Sequence, residues 1–150
     1  MLPRASRNKW WIGVALLSTL SLGLYVGRAV MMNGVSLNVA LLGSFLDWSA
    51  ILLFVLPTRT LFARWIGGKN LSLLAVGLFA GTWVTYGLSH VCQSAILYFM
   101  LNYPQAVWVS LIPVIPVEMA FRCVVGTVIG LGVIVGMRAI GLVKPTEAIY

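Results

Sequence analysis

Residues 10–32 read WWIGVALLSTLSLGLYVGRAVMM, a run in which Arg28 is the only charged side chain. At about 1.5 Å of rise per residue it is long enough to cross roughly 30 Å of hydrocarbon as a helix. Lys9 bounds it on one side and Asn33-Gly34 on the other. Arg4, Arg7 and Lys9 precede it as a basic region precedes the apolar part of a signal peptide. The run is longer than that apolar part, and no A-x-A site follows it. It is therefore expected to remain in place as a first membrane span.

Three further apolar blocks extend the pattern along the chain. The second covers about 35–57 and ends at Pro57, before Thr58-Arg59-Thr60. The third starts at Leu71, after Gly67-Gly68-Lys69-Asn70, and stays apolar to Leu101. The fourth runs from Ala106 to about Leu142 and stops before Lys144-Pro145. Of the 150 residues 61% are hydrophobic and 9% charged, and mean hydropathy is +1.01. A soluble domain carries about a quarter of charged residues. So little polar surface leaves lipid as the outer environment. The fold class expected is all-α: a polytopic transmembrane helix bundle forming a single domain over residues 1–150.

His90 and Gln93 interrupt the third block, and Pro113 and Pro116 interrupt the fourth. Spans are predicted at about 71–90 and 118–141. Residues 91–117 between them would form an outer-side hairpin turning at Asn102-Tyr103-Pro104. This gives four main spans plus the hairpin, or six spans if its arms cross.

The formal net charge of +7 excludes neither a nucleic-acid binder nor a membrane protein, but the positions of the charges decide. Arg4, Arg7 and Lys9 precede span one, Arg59, Arg64 and Lys69 separate spans two and three, and Arg138 and Lys144 close the last. The opposite loops, 31–35 and 101–106, contain no Lys or Arg. This bias places both termini in the cytoplasm, and nucleic acid is not an expected partner. Trp10, Trp11 and Trp65 fall where an interfacial aromatic belt belongs. Glycines four apart (Gly23/Gly27, Gly77/Gly81, Gly126/Gly130, Gly132/Gly136) permit close helix approach.

Charged groups inside apolar spans are costly and mark candidate sites. Arg28 lies about 27 Å above Trp10 by helical rise, and His90 and Glu118 also arrive near the outer boundary. Arg122 is one turn deeper and stands i,i+4 from Glu118, in the favourable order for a same-helix pair. Glu118 then caps a helix that begins after Pro113 and Pro116 while Arg28 snorkels, or the four residues line an outward-facing ligand pocket. Asp47 counts to about 18 Å below the outer face, near the midplane, with no basic residue at its depth. It is expected to bond Ser18, Thr19 or Thr82, or to serve as a substrate or proton site. The ligand-binding candidates are thus Arg28, Asp47, His90, Glu118 and Arg122.

Catalytic motifs are lacking: there is no Walker sequence, no G-x-S-x-G and no H-E-x-x-H. Cys92 and Cys123 have no ligand-spaced partner and read as packing residues, so no catalytic or metal site and no cofactor is expected.

Residues 112–130, IPVIPVEMAFRCVVGTVIG, continuing to Met137-Arg138, resemble the last helix of substrate-binding S components of energy-coupling factor uptake transporters. Residues 81–87, GTWVTYG, fit the same pattern more loosely. The resemblance covers the second half of the chain. It implies a non-enzymatic subunit that binds a vitamin-like molecule or a metal near the outer face. That subunit would dock on a transmembrane coupling subunit bearing two ATPases, with Glu118 and Arg122 at the pocket mouth. The chain departs from the family in length, in span number and at its docking motif, where A-x-x-x-A is replaced by ALLST at residues 15–19. The competing expectation is a structural or assembly subunit of a larger membrane complex. A third is a small transporter that couples protons through Asp47.

Overall fold

Asn70 opens the third apolar stretch by accepting hydrogen bonds from the backbone N–H groups of Ser72 and Leu73, at 2.9 and 3.1 Å. That cap satisfies two of the donors that a helix start leaves free. The helix it begins, Leu71–Met100, continues unbroken past His90 and Gln93. In the computed structural model, residues 9–142 are described, without the side chain of Arg59. The described residues form six helices and no strand: α1 (Trp10–Met32), α2 (Leu37–Gly43), α3 (Phe45–Val55), α4 (Thr58–Gly67), α5 (Leu71–Met100) and α6 (Gln105–Ala139). Arg4, Arg7 and Lys144, used above for orientation, lie outside the described residues.

Three helices, α1, α5 and α6, are long and apolar enough to cross a membrane. The pair α2 and α3, bent by 64°, makes a fourth crossing if it acts as one broken span. The all-α polytopic bundle expected from the apolar blocks is what forms. Its surface agrees with lipid contact: Leu16, Val117, Phe121 and Leu142 are 67 to 70% exposed.

The predicted 91–117 hairpin does not form as a separate unit. The chain does turn at 101–104, but residues 91–100 belong to α5 and 105–117 to α6. His90 does not end α5 because its ring is satisfied by a partner on another helix. Pro113 and Pro116 lie inside α6 without ending it, as proline can within membrane helices whose freed backbone groups find other partners.

The break between α2 and α3 is chemically closed at Ser44, which is 1% exposed. Its hydroxyl donates to the carbonyl of Ala40 at 2.8 Å, and the Trp48 indole N–H donates to that of Leu41 at 3.0 Å. The Ala40 carbonyl also keeps the Ser44 backbone N–H at 3.0 Å, and the indole gives the Leu41 carbonyl a side-chain donor at the break. Gly43 beside the bend has no room for a side chain, since a Cβ there would sit 2.9 Å from the Trp108 ring. A Cβ on Gly87 would come within 2.3 Å of that of Ala50, so α3 and α5 meet at backbone distance. This approach sets Asp47 of α3 against His90 of α5.

At one end of the bundle the loops after α1 and α5 meet. Gln105 Oε1 accepts from the Ser36 backbone N–H at 3.1 Å, and Arg28 reaches Asn102. At the other end Trp10 packs on Phe54, and Arg138 Nη2 donates to the Ile66 carbonyl at 2.8 Å, tying α6 to the end of α4. Gly77, Gly126 and Gly130 have neighbours at close range across helix interfaces, and Gly81 at ordinary contact distance. Gly23, Gly27, Gly132 and Gly136 instead face open space.

Candidate functional site

Asp47 sits in the first turn of α3, 1% exposed. A buried carboxylate must be bonded or neutralised. Here both oxygens are engaged: Oδ2 accepts the hydroxyl of Tyr25 from α1, and Oδ1 lies 2.8 Å from His90 Nδ1 of α5. Ser94 Oγ, one turn along α5, stands 3.3 Å from the same nitrogen. His90 Nε2 makes no hydrogen bond among the described residues, and the His90 side chain is 25% exposed against 2% for Asp47.

From His90 the polar groups continue outward. The Tyr86 ring is 6.1 Å from the His90 ring, and the Arg122 guanidinium lies 4.8 Å from the Tyr86 centroid. Arg122 Nε and Nη2 both donate to Glu118 Oε1, at 2.9 and 2.6 Å. Those two side chains are about half exposed, at 50% and 48%. Glu118 is also within electrostatic reach of His90. A seam of polar side chains therefore passes from α1 and α3 through α5 to the surface of α6. It grades from fully buried at Asp47 to open at Glu118.

Aromatic and apolar packing holds the seam in place. Tyr25 stacks on Tyr98, centroids 5.2 Å apart, and Tyr98 lies 4.8 Å from buried Trp108. Such ring pairs add about 0.5–1.5 kcal/mol beyond the area they bury and fix the angle of the Tyr25 hydroxyl. On the opposite side, Leu46, Met119 and Cys123 form a buried cluster against Tyr86 and Ile115. Cys123 is thus a packing residue, and Cys92 is half-buried and unbridged. No group of three or more His, Cys, Asp or Glu side chains capable of holding a metal occurs among the described residues.

Two expectations for Asp47 are corrected. Its partners are Tyr25 and His90 rather than Ser18, Thr19 or Thr82, and a basic residue does share its depth. Thr19 instead donates to the Ala15 carbonyl, and Thr82 packs where a Cβ on Gly126 would lie. Counting residues as vertical rise failed because α5 runs ten residues past His90 to Met100, and because the 64° bend at Ser44 makes the rise through α2 and α3 less than that of one straight helix. Glu118 and Arg122 pair with each other as their spacing implied. Glu118 does not open a helix, however, since α6 begins thirteen residues earlier at Gln105.

Arg28 stands apart from the other four candidates. Its Nη2 donates to Asn102 Oδ1 at 3.0 Å and its guanidinium lies 5.2 Å from the Phe99 centroid. It thus closes the loop end of the bundle, with Nε buried and unpartnered among the described residues. Tyr25 was missed by the sequence reading. Its signal was present: with Ala15, Ser18 and Ala29 it lies on the buried face of α1, a polar tip on an inward-facing stripe.

No family model, no curated protein and no solved structure matches this chain. The site is accordingly read from its own chemistry.

Proposed function

We propose that this integral membrane protein is a non-enzymatic ligand-binding subunit for uptake of a small polar molecule, vitamin-like in size. One observation carries the proposal: the graded seam from Asp47 through His90 to Glu118 and Arg122. Ionisable groups inside a membrane bundle are expensive to keep and are found where substrates or ions pass. Asp47 is bonded by Tyr25 and also by His90, whose ring is partly exposed and offers its second nitrogen to a ligand. His90 Nε2, the Glu118 carboxylate and the Arg122 guanidinium together supply donors and acceptors on one layer of the bundle.

The chain has no ATPase motif, so ATP-driven uptake would need a coupling subunit, in the manner of the energy-coupling factor S components it resembles. The open faces of Gly23/Gly27 and Gly132/Gly136 suit close approach of partner helices. Those faces would equally serve a structural subunit of a larger complex, which is the second reading. Lys9, Arg64, Lys69 and Arg138 on the side away from the 33–36 and 101–104 loops favour a cytoplasmic location for that end. A reporter inserted within 58–70 should then register cytoplasm and one at Asn33 the outside. The reverse pattern would invert the orientation.

The functional test is mass spectrometry of small molecules retained by the protein purified in mild detergent from its host. A stoichiometric ligand is expected with the wild-type chain. His90→Ala and the Glu118→Gln/Arg122→Gln double variant should lose it, each weakening binding by about 1–3 kcal/mol per hydrogen bond removed. Equal uptake of that ligand by cells carrying the double variant, at equal protein levels, would favour the structural reading.

A further inference from the structure

We infer that the Asp47–His90 pair is a proton-binding site that exchanges its proton through His90 Nε2 toward the Glu118 side of the bundle. The consequence for uptake, a proton exchanged as ligand binds, rests on the seam being the ligand site. The proton chemistry itself rests on geometry. Asp47 from α3 and Tyr86 and Ser94 from α5 meet the ring, and around them stand Tyr25 from α1 on Asp47, Tyr98 from α5 on Tyr25, and Arg122 from α6 on Tyr86 with Glu118 beside it. Helix α2 contains no titratable residue, and α4 packs on α5 at Gly77 and Gly81, about two and a half turns or more from His90.

Asp47 as a carboxylate accepts the Tyr25 hydroxyl at one oxygen and the His90 Nδ1–H at the other. This arrangement fixes the tautomer. Nδ1 keeps its hydrogen, and Nε2 is the nitrogen that gains or loses one. With Nε2 protonated the pair is neutral overall, and with Nε2 bare it carries one negative charge. One N–H bond forms or breaks, and the proton passes to or from water at the half-exposed Glu118–Arg122 mouth. On the Oδ2 side Tyr25 is 1% exposed, and Ala50 and Val91 beside the pair on α3 and α5 are fully buried. The partly exposed His90 ring is therefore the pair's route to water.

The chain contains a single histidine, so the full-length protein labelled with ¹⁵N-histidine gives one ring to follow by NMR. In lipid nanodiscs without ligand, over about pH 5 to 8, Nδ1 should stay protonated while Nε2 switches between protonated and bare. In Asp47→Asn the Tyr25 hydroxyl should hold the amide oxygen and turn the NH₂ toward Nδ1. The neutral ring should then adopt the reverse tautomer, with hydrogen on Nε2. Tyr25→Phe keeps the Nδ1–H bond and should reproduce the wild-type pattern, so the proposal stays testable if Asp47→Asn does not fold. A neutral wild-type ring with bare Nδ1 would overturn the proposal, and so would ring nitrogens unchanged across the range. Because no ligand is present, failure here is distinguishable from failure of the uptake reading.

Discussion

Two acid–base pairs occupy one layer of this bundle and differ in almost every physical respect. Glu118 and Arg122 stand one turn apart on a single helix, half exposed and held by local spacing. Asp47 and His90 lie 43 residues apart in sequence, on different helices, with the carboxylate buried and further bonded to Tyr25. The exposed pair is screened, and pairs of that kind contribute little to stability. The buried one is satisfied only while three helices stay in register, so it reports on the fold as well as the site. Charge pairing that is legible in a sequence is thus the energetically minor kind here, and the consequential kind depends on tertiary structure.

The largest effect should come from cutting the buried pair. His90→Ala leaves the Asp47 carboxylate with Tyr25 as its remaining partner, and breaking a buried pair from one side costs about 3–5 kcal/mol. Thermal unfolding of the purified protein in nanodiscs should show a large drop in Tm. A near-unchanged Tm would mean that water or lipid headgroups already solvate Asp47, and the contrast between the pairs would collapse.

The smallest effect should come from the exposed pair. Glu118→Gln alone should leave the melting temperature nearly unchanged, and adding Arg122→Gln should keep it there. The same melts would sharpen the comparison: a loss rivalling that of His90→Ala would show that Glu118 is desolvated by lipid and holds Arg122 in place.

The apolar blocks 10–32 and 71–101 were legible because lipid solvation acts on each segment separately and needs no knowledge of neighbours. The turn at 101–104 was legible from Asn102-Tyr103-Pro104 for the same local reason. The continuity of α5 through His90 was not, because the residue that satisfies the ring sits on α3. Nor was the depth of Asp47, since the bend at Ser44 is closed by hydroxyl and indole bonds that hydropathy does not register. The expected outer group of Arg28, His90, Glu118 and Arg122 does not gather as a whole: Arg28 belongs to the loop end beside Asn102, and Asp47 joins His90 instead. Tyr25 completes the site from a helix whose only charged group is elsewhere.

The account stands on the contact between Asp47 and His90, and a double-mutant cycle measures that contact most directly. Unfolding free energies would be compared for wild type, Asp47→Ala, His90→Ala and the double variant in the same lipid. A coupling energy of about 1.5 kcal/mol or more, within the range for bonded neighbours, is the expected result. Strict additivity of the two single changes would show that the residues do not interact, and would contradict both the site and the function built on it.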